Sequence, residues 1–148
     1  MTQPGDPPTA MEERATALGI AFTRGRTWTS NSYLSLEAAE FAAEHGDLMR
    51  FHRAMFKAYF EDLEDIGSLD TVIHVGAAAG LAETELRAAL VEGRYRTKVD
   101  EGIQWSREIG VTAVPTFVLD DKYGIVGAQD GAVFEELLQT KLGRMPND

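Results

Sequence analysis

The sequence predicts an α/β domain in which a large helical insertion precedes a C-terminal β-hairpin and a final helix. Three observations predict it. Apolar residues recur at helical spacing from about residue 32 to residue 109. The run Val111-Thr112-Ala113-Val114-Pro115-Thr116-Phe117-Val118-Leu119 is rich in β-branched residues, and Asp120-Asp121-Lys122 supplies turn chemistry before residues 123–126. Asp130 then stands ready to cap a helix that carries Phe134, Leu137, Leu138 and Lys141 on one side and ends near Gly143.

Each element has a local cause. Residues 1–8, with Pro4, Gly5, Pro7 and Pro8, bury almost nothing apolar and are expected to be a flexible arm, which leaves residues 9–148 as one domain. Thr9 and Glu12 fit a capping box, so a short helix should run to Leu18 and end at Gly19. Residues 20–23 read as a short strand. In the block from 32 to 109, Leu34, Ala38, Phe41 and Ala42 mark one helix, closed by Gly46. Asp47 can cap the next, whose stripe of Leu48, Phe51, His52, Met55, Phe56, Tyr59 and Phe60 predicts a broad buried face. Ser68 starts a third helix, ended by Gly80 with Leu81 packed behind it. A fourth spans about 83–92. After Gly93, Tyr95, Val99, Ile103 and Ile109 set out a fifth that stops at Gly110.

Composition narrows the function. With 148 residues and 44% hydrophobic content the chain can build one sizeable core. A formal net charge of -10 opposes both nucleic acid and an anionic membrane surface, so neither is expected as a partner. No apolar run approaches the roughly 20 residues of a membrane span, and residues 1–10 lack the basic start and apolar stretch of a secretory signal. A cytoplasmic location is therefore expected. The cysteine count is zero, which removes disulfides, thiolate nucleophiles and cysteine-held metal centres from the chemistry of these residues. No cofactor is predicted.

Other candidate chemistry reads as structure. His45, His52 and His74 lack the spacing that puts two metal ligands on one helical face. Glu61, Asp62, Glu64 and Asp65 lack the spacing and glycine of an EF-hand and read as a solvated turn. Ser30 and Ser32 have no hydrolase signature, and residues 76–80 lack the lysine of a phosphate loop. Arg24, Arg26 and Trp28 could form an aromatic and basic site for an acidic ligand, although packing is the simpler role for the tryptophan.

The stretch from Gly110 through Val114-Pro115-Thr116-Phe117, the tight hairpin, and Gly127-Ala128-Gln129 before the last helix together resemble the DsbA family, with Asn31-Ser32, Glu44-His45-Gly46 and residues 56–60 closest to its FrnE-like branch. The resemblance implies a thioredoxin fold with a helical insertion. It also implies a cis peptide bond before Pro115, with Thr112, Ala113, Val114 and Pro115 as a loop that binds an extended peptide or a small apolar ligand. In that family an interior strand and a Cys-x-x-Cys helix start precede the segment at 20–23, and this sequence contains neither. The expected fold is thus a truncated DsbA-like one, related to disulfide oxidoreductases but without catalytic residues and redox-inactive alone. Because the lacking strand is interior, either the remaining strands close on each other or a second chain completes the sheet. A homodimer or a hetero-oligomeric partner would supply it.

Overall fold

The computed structural model describes residues 5–141. The described elements are α1 (Ala10–Ala17), α2 (Tyr33–His45), α3 (Leu48–Phe60), α4 (Leu69–Ala78), α5 (Glu83–Glu92), α6 (Arg96–Glu108), β1 (Thr116–Leu119), β2 (Tyr123–Val126) and α7 (Gly131–Lys141). The chain divides into two compact units, Met1–Glu101 and Gly102–Asp148.

The first unit is built by locally encoded helices. Thr9 accepts from the Glu12 amide while the Glu12 carboxylate accepts from the Thr9 N–H at 2.7 Å, closing the capping box of α1. Asp47 caps α3 through the Arg50 amide at 3.0 Å, and Ser68 caps α4 through that of Thr71. The cap of α2 comes from a different residue. Ser32 makes no side-chain cap bond; Asn31 Oδ1 instead accepts from the Tyr33 N–H at 3.0 Å. The core lies among α2, α3, α4 and α5, where Phe41, Phe51, Ile73, Leu86 and Leu90 are buried. Glycine permits one close approach: a Cβ at Gly76 in α4 would lie 2.5 Å from Leu86 Cδ2 of α5.

Two expectations are corrected in this unit. Residues 20–23 form no strand; Thr23 N–H donates to Phe60 O at 2.9 Å instead of to a ladder. Their alternation was weak, and a strand needs a neighbour to bond with. On α3, Phe56 is 61% exposed, so the apolar face is narrower than the stripe predicted. Phe51, Met55 and Ala58 carry the burial. The loop after α1 is tied down by polar contacts: Ser30 donates to Asp65 Oδ1 at 2.7 Å and accepts from the Ile66 amide at 3.1 Å.

The second unit holds the hairpin. β1 and β2 pair antiparallel as a two-stranded sheet, Thr116 opposite Val126 and Leu119 opposite Tyr123. The first strand is shorter than the run of β-branched residues, since the ladder begins only after Pro115, which has no N–H to give. Asp120 and Asp121 both take positive φ (56° and 53°) to turn the chain, a conformation that Asp tolerates better than most residues. Phe117 meets Phe134 of α7 edge to face at 4.9 Å. Ile125 is the buried apolar residue of the hairpin, and α7 has no buried residue among those described. The expected end of the last helix near Gly143 lies outside the described residues, as do residues 1–4 of the arm.

Candidate functional site

The loop between α6 and β1 is defined at both ends. Gly110, at φ 79°, donates to Arg107 O at 3.0 Å while Val111 donates to Ser106 O at 2.9 Å, the paired bonds of a Schellman cap that stops the helix. Thr112, Ala113, Val114 and Pro115 follow, all exposed, with Val114 89% exposed. The Val114–Pro115 peptide bond is cis. Thr116 Oγ1 donates to Ala113 O at 2.7 Å and fastens the loop to the strand. On the far side, Gln129 Nε2 donates to Val126 O at 2.9 Å, so the Gly127-Ala128-Gln129 turn is held against the end of β2.

The ladder fixes which way the backbone of β1 points. Gly127 N–H donates to Pro115 O at 2.8 Å, so this is a hydrogen-bonded pair. Alternation along antiparallel strands makes Phe117 with Ile125, and Leu119 with Tyr123, the next bonded pairs. Thr116 and Val118 therefore turn their N–H and C=O groups away from β2, toward an edge that no strand of the described residues occupies. Beside it lies an open cavity of about 390 Å³, whose wall includes Trp105, Ile109, Val111, Thr112, Val118 and Tyr123. Of the four residues expected to bind, Thr112 lines this cavity, and Ala113, Val114 and Pro115 are not part of its wall.

The 148 residues contain no cysteine, and no group of three or more His, Cys, Asp or Glu able to hold a metal occurs among the described residues. His45 lies against the Phe41 ring at 4.6 Å and His52 is 6.2 Å from that of Phe56, while His45 and His74 are exposed on their helices. No helix of the described residues is long and apolar enough to cross a membrane.

The profile of the DSBA-like thioredoxin domain family matches residues 8–139. The chain belongs to that family. Its fold is the DsbA-like one, mostly helical with a C-terminal two-strand hairpin and a final helix. A probable DsbA oxidoreductase from Streptomyces coelicolor superposes with a TM-score of 0.81 at 28% identity, over 93% of this chain and 60% of that one. The uncharacterized protein YwbO of Bacillus subtilis is 28% identical over 106 residues, 71% of this chain and 52% of that protein. The chain thus spans between half and two thirds of the length of these relatives.

A second constellation lies in the first unit, and the sequence revealed only part of it. The Arg26 guanidinium stacks 3.5 Å over the Tyr59 ring, 5.7 Å from Trp28 and 5.8 Å from Phe60, and Nη2 donates to Tyr59 O at 2.8 Å. Arg24 instead engages Glu12, at 2.8 Å, together with the carbonyls of Asp6 and Pro7. That pairing and the Thr9 donors hold the Glu12 carboxyl down at about 2. Arg26 and Trp28 stand out in sequence. Their partner Tyr59 is 33 positions from Arg26, and reads there as helical core.

Proposed function

We propose that this chain is a cysteine-free binding member of the DsbA family, holding an extended peptide on the Val114–Pro115 loop and the outer edge of β1. It carries out no thiol–disulfide exchange by itself. The observation that carries the reading is the backbone parity of β1: Thr116 and Val118 present N–H and C=O groups outward, directly after a loop whose Val114 is 89% exposed. Such an edge accepts a further strand, with backbone bonds giving affinity and alternate side chains giving selectivity. The cavity beside it, with Trp105, Ile109 and Val118, would take an apolar side chain of that peptide or a small apolar ligand. Of the Streptomyces relative's description only the fold would carry over to these residues, because thiol–disulfide exchange needs a thiolate. Membership of the FrnE-like branch, supported by Asn31-Ser32 and Glu44-His45-Gly46, and a cytoplasmic location belong to the same proposal.

Val118→Pro tests the edge selectively. It removes a donor that points away from β2, so the hairpin ladder keeps its bonds. With reduced and alkylated insulin B chain as the peptide, fluorescence anisotropy should show binding by the parent and at least roughly tenfold weaker binding by the variant, the loss of about 1.4 kcal/mol or more. Equal binding by both proteins would sink the reading, as would insulin reduction by the pure chain.

The same open edge favours a second reading, in which its occupant is another copy and the protein is a homodimer, or a different chain that completes the sheet. Sedimentation of the parent as a dimer and of Val118→Pro as a monomer would select the homodimer.

A further inference from the structure

We propose that the first unit carries a site for an amphiphilic monocarboxylate, with Arg26 as the seat of the carboxylate and the Phe22, Phe60 and Phe56 rings as the track for an apolar tail. Two cavities define it. One, of about 420 Å³, is walled by Arg26, Trp28, Tyr59, Phe22 and Phe60 together with the Glu12–Arg24 pair. The other, of about 580 Å³, is walled by Ile20, Phe22, Phe56 and Phe60 among others. They share Phe22 and Phe60, whose rings lie 4.8 Å apart, and Phe60 continues to Phe56 at 6.3 Å. Each volume falls within the range of small-molecule sites.

The head of the ligand follows from charge. Within the first cavity Glu12 and Arg24 cancel as a salt bridge at 2.8 Å, which leaves Arg26 as its uncompensated charge. Arg26 forms no ion pair with any described carboxylate, although the chain carries a net charge of -10. Its Nε is shielded from solvent and has no hydrogen-bond partner, while Nη2 spends one donor on the Tyr59 carbonyl. A guanidinium held 3.5 Å over the Tyr59 ring and bonded to the Tyr59 carbonyl keeps its planar fork in place, and a carboxylate matches that fork. The tail follows from exposure. Ile20 is 50% exposed and Phe56 61% exposed, apolar surface that a hydrocarbon chain would remove from water. The second cavity is also lined by Lys57, which Asp62 neutralises at 2.6 Å, and by Arg53, which is the competing cation.

Isothermal titration of the full chain with decanoate, decanol and acetate tests the assignment. Decanoate should bind at least about tenfold more tightly than decanol or acetate, since only decanoate uses both cavities. Arg26→Gln should erase the preference for decanoate over decanol, and Arg53→Gln should leave it intact. Phe56→Glu, at an exposed position that folding does not require, should weaken decanoate by about tenfold or more while the far-UV spectrum stays unchanged. Absence of decanoate binding to the parent, decanol binding as tightly as decanoate, or a preference that follows Arg53 instead of Arg26 would each overturn the proposal.

Discussion

The helical unit and the hairpin unit bury their apolar side chains to very different degrees. In the helical unit Phe41, Phe51, Leu86 and Leu90 are at most 2% exposed and belong to one continuous cluster. In the hairpin unit Phe117, Val126 and Val133 remain 41%, 55% and 41% exposed, and α7 contributes no buried residue among those described. Four helices can enclose a core by packing their stripes on one another. A two-stranded hairpin with α7 and the C-terminal part of α6 offers fewer faces to pack, and a hairpin by itself is marginal in water. The difference assigns stability to the first unit and available surface to the second.

That contrast can be broken by truncating one phenylalanine in each unit. Phe51→Ala should cost about 3–5 kcal/mol, because a 1% exposed ring in a closed core leaves a cavity. Phe117→Ala should cost well under half of that, its ring being half solvated and held by Phe134 alone among the aromatic contacts. Urea unfolding followed by circular dichroism measures both. Comparable losses would mean that the hairpin unit is as tightly enclosed as the helical one, and the contrast would be void.

A glycine-to-alanine pair sharpens the same comparison. At Gly76 the added methyl would meet Leu86 Cδ2 at 2.5 Å, so the strain of overpacking, about 1–3 kcal/mol, outweighs the better helix propensity of alanine. At Gly131, the first residue of α7, nothing lies within 4 Å of the new Cβ, and Gly131→Ala should stabilise by a few tenths to about 1 kcal/mol. The two melting temperatures should move in opposite directions. Movement in the same direction would show that Leu86 has room to yield.

How much of this was legible in the sequence follows the range of the interactions. The caps at Thr9, Asp47 and Ser68 and the stop at Gly110 were readable because each is settled within a few residues. The helices followed from periodicity, and the family from the Val114-Pro115-Thr116-Phe117 stretch with its Gly127-Ala128-Gln129 turn. What stayed hidden was decided at long range. Residues 20–23 have strand composition but no ladder partner, and composition does not report partners. Phe56 lies on the predicted apolar stripe and is nonetheless exposed, because how much of a stripe is covered depends on its neighbours. The seat of Arg26 on Tyr59 joins residues 33 apart.

Charge distinguishes the core from the surface in a third way. Glu37 of α2 is 1% exposed; its Oε2 has no hydrogen-bond partner, and its Oε1 is 3.8 Å from Arg96 Nε. Burial raises its pKa above the usual 4.5, with Arg96 pulling the other way. The native state therefore holds this proton more tightly than the unfolded chain does. Its contribution favours the fold below pH 4.5 and is lost as pH rises through the native value. Glu37→Gln should raise stability at pH 7 and flatten the pH dependence between pH 4.5 and 7. An unchanged slope of urea midpoint against pH would show that the buried carboxylate is compensated.

The smallest effect is expected at Glu12, on the surface of the helical unit, where the shift has the opposite sign. The bond from Arg24 comes first, then the donors of Thr9, and together they lower its value from 4.5 to about 2. The folded state thus favours the ionised form, so the stabilisation is complete above pH 4.5 and disappears as pH falls through about 2. Solvent screens such a pair, and what protonation undoes is local: the capping box of α1 and the tie to Arg24. Amide exchange in α1 should accelerate, relative to α3 and after correction for the intrinsic pH dependence, between pH 4.5 and 2. Glu12→Ala should show that faster exchange already at pH 7. Should α1 exchange in the variant match the parent at pH 7, the helix is held by packing of Ala15 alone, the residue of α1 that is buried.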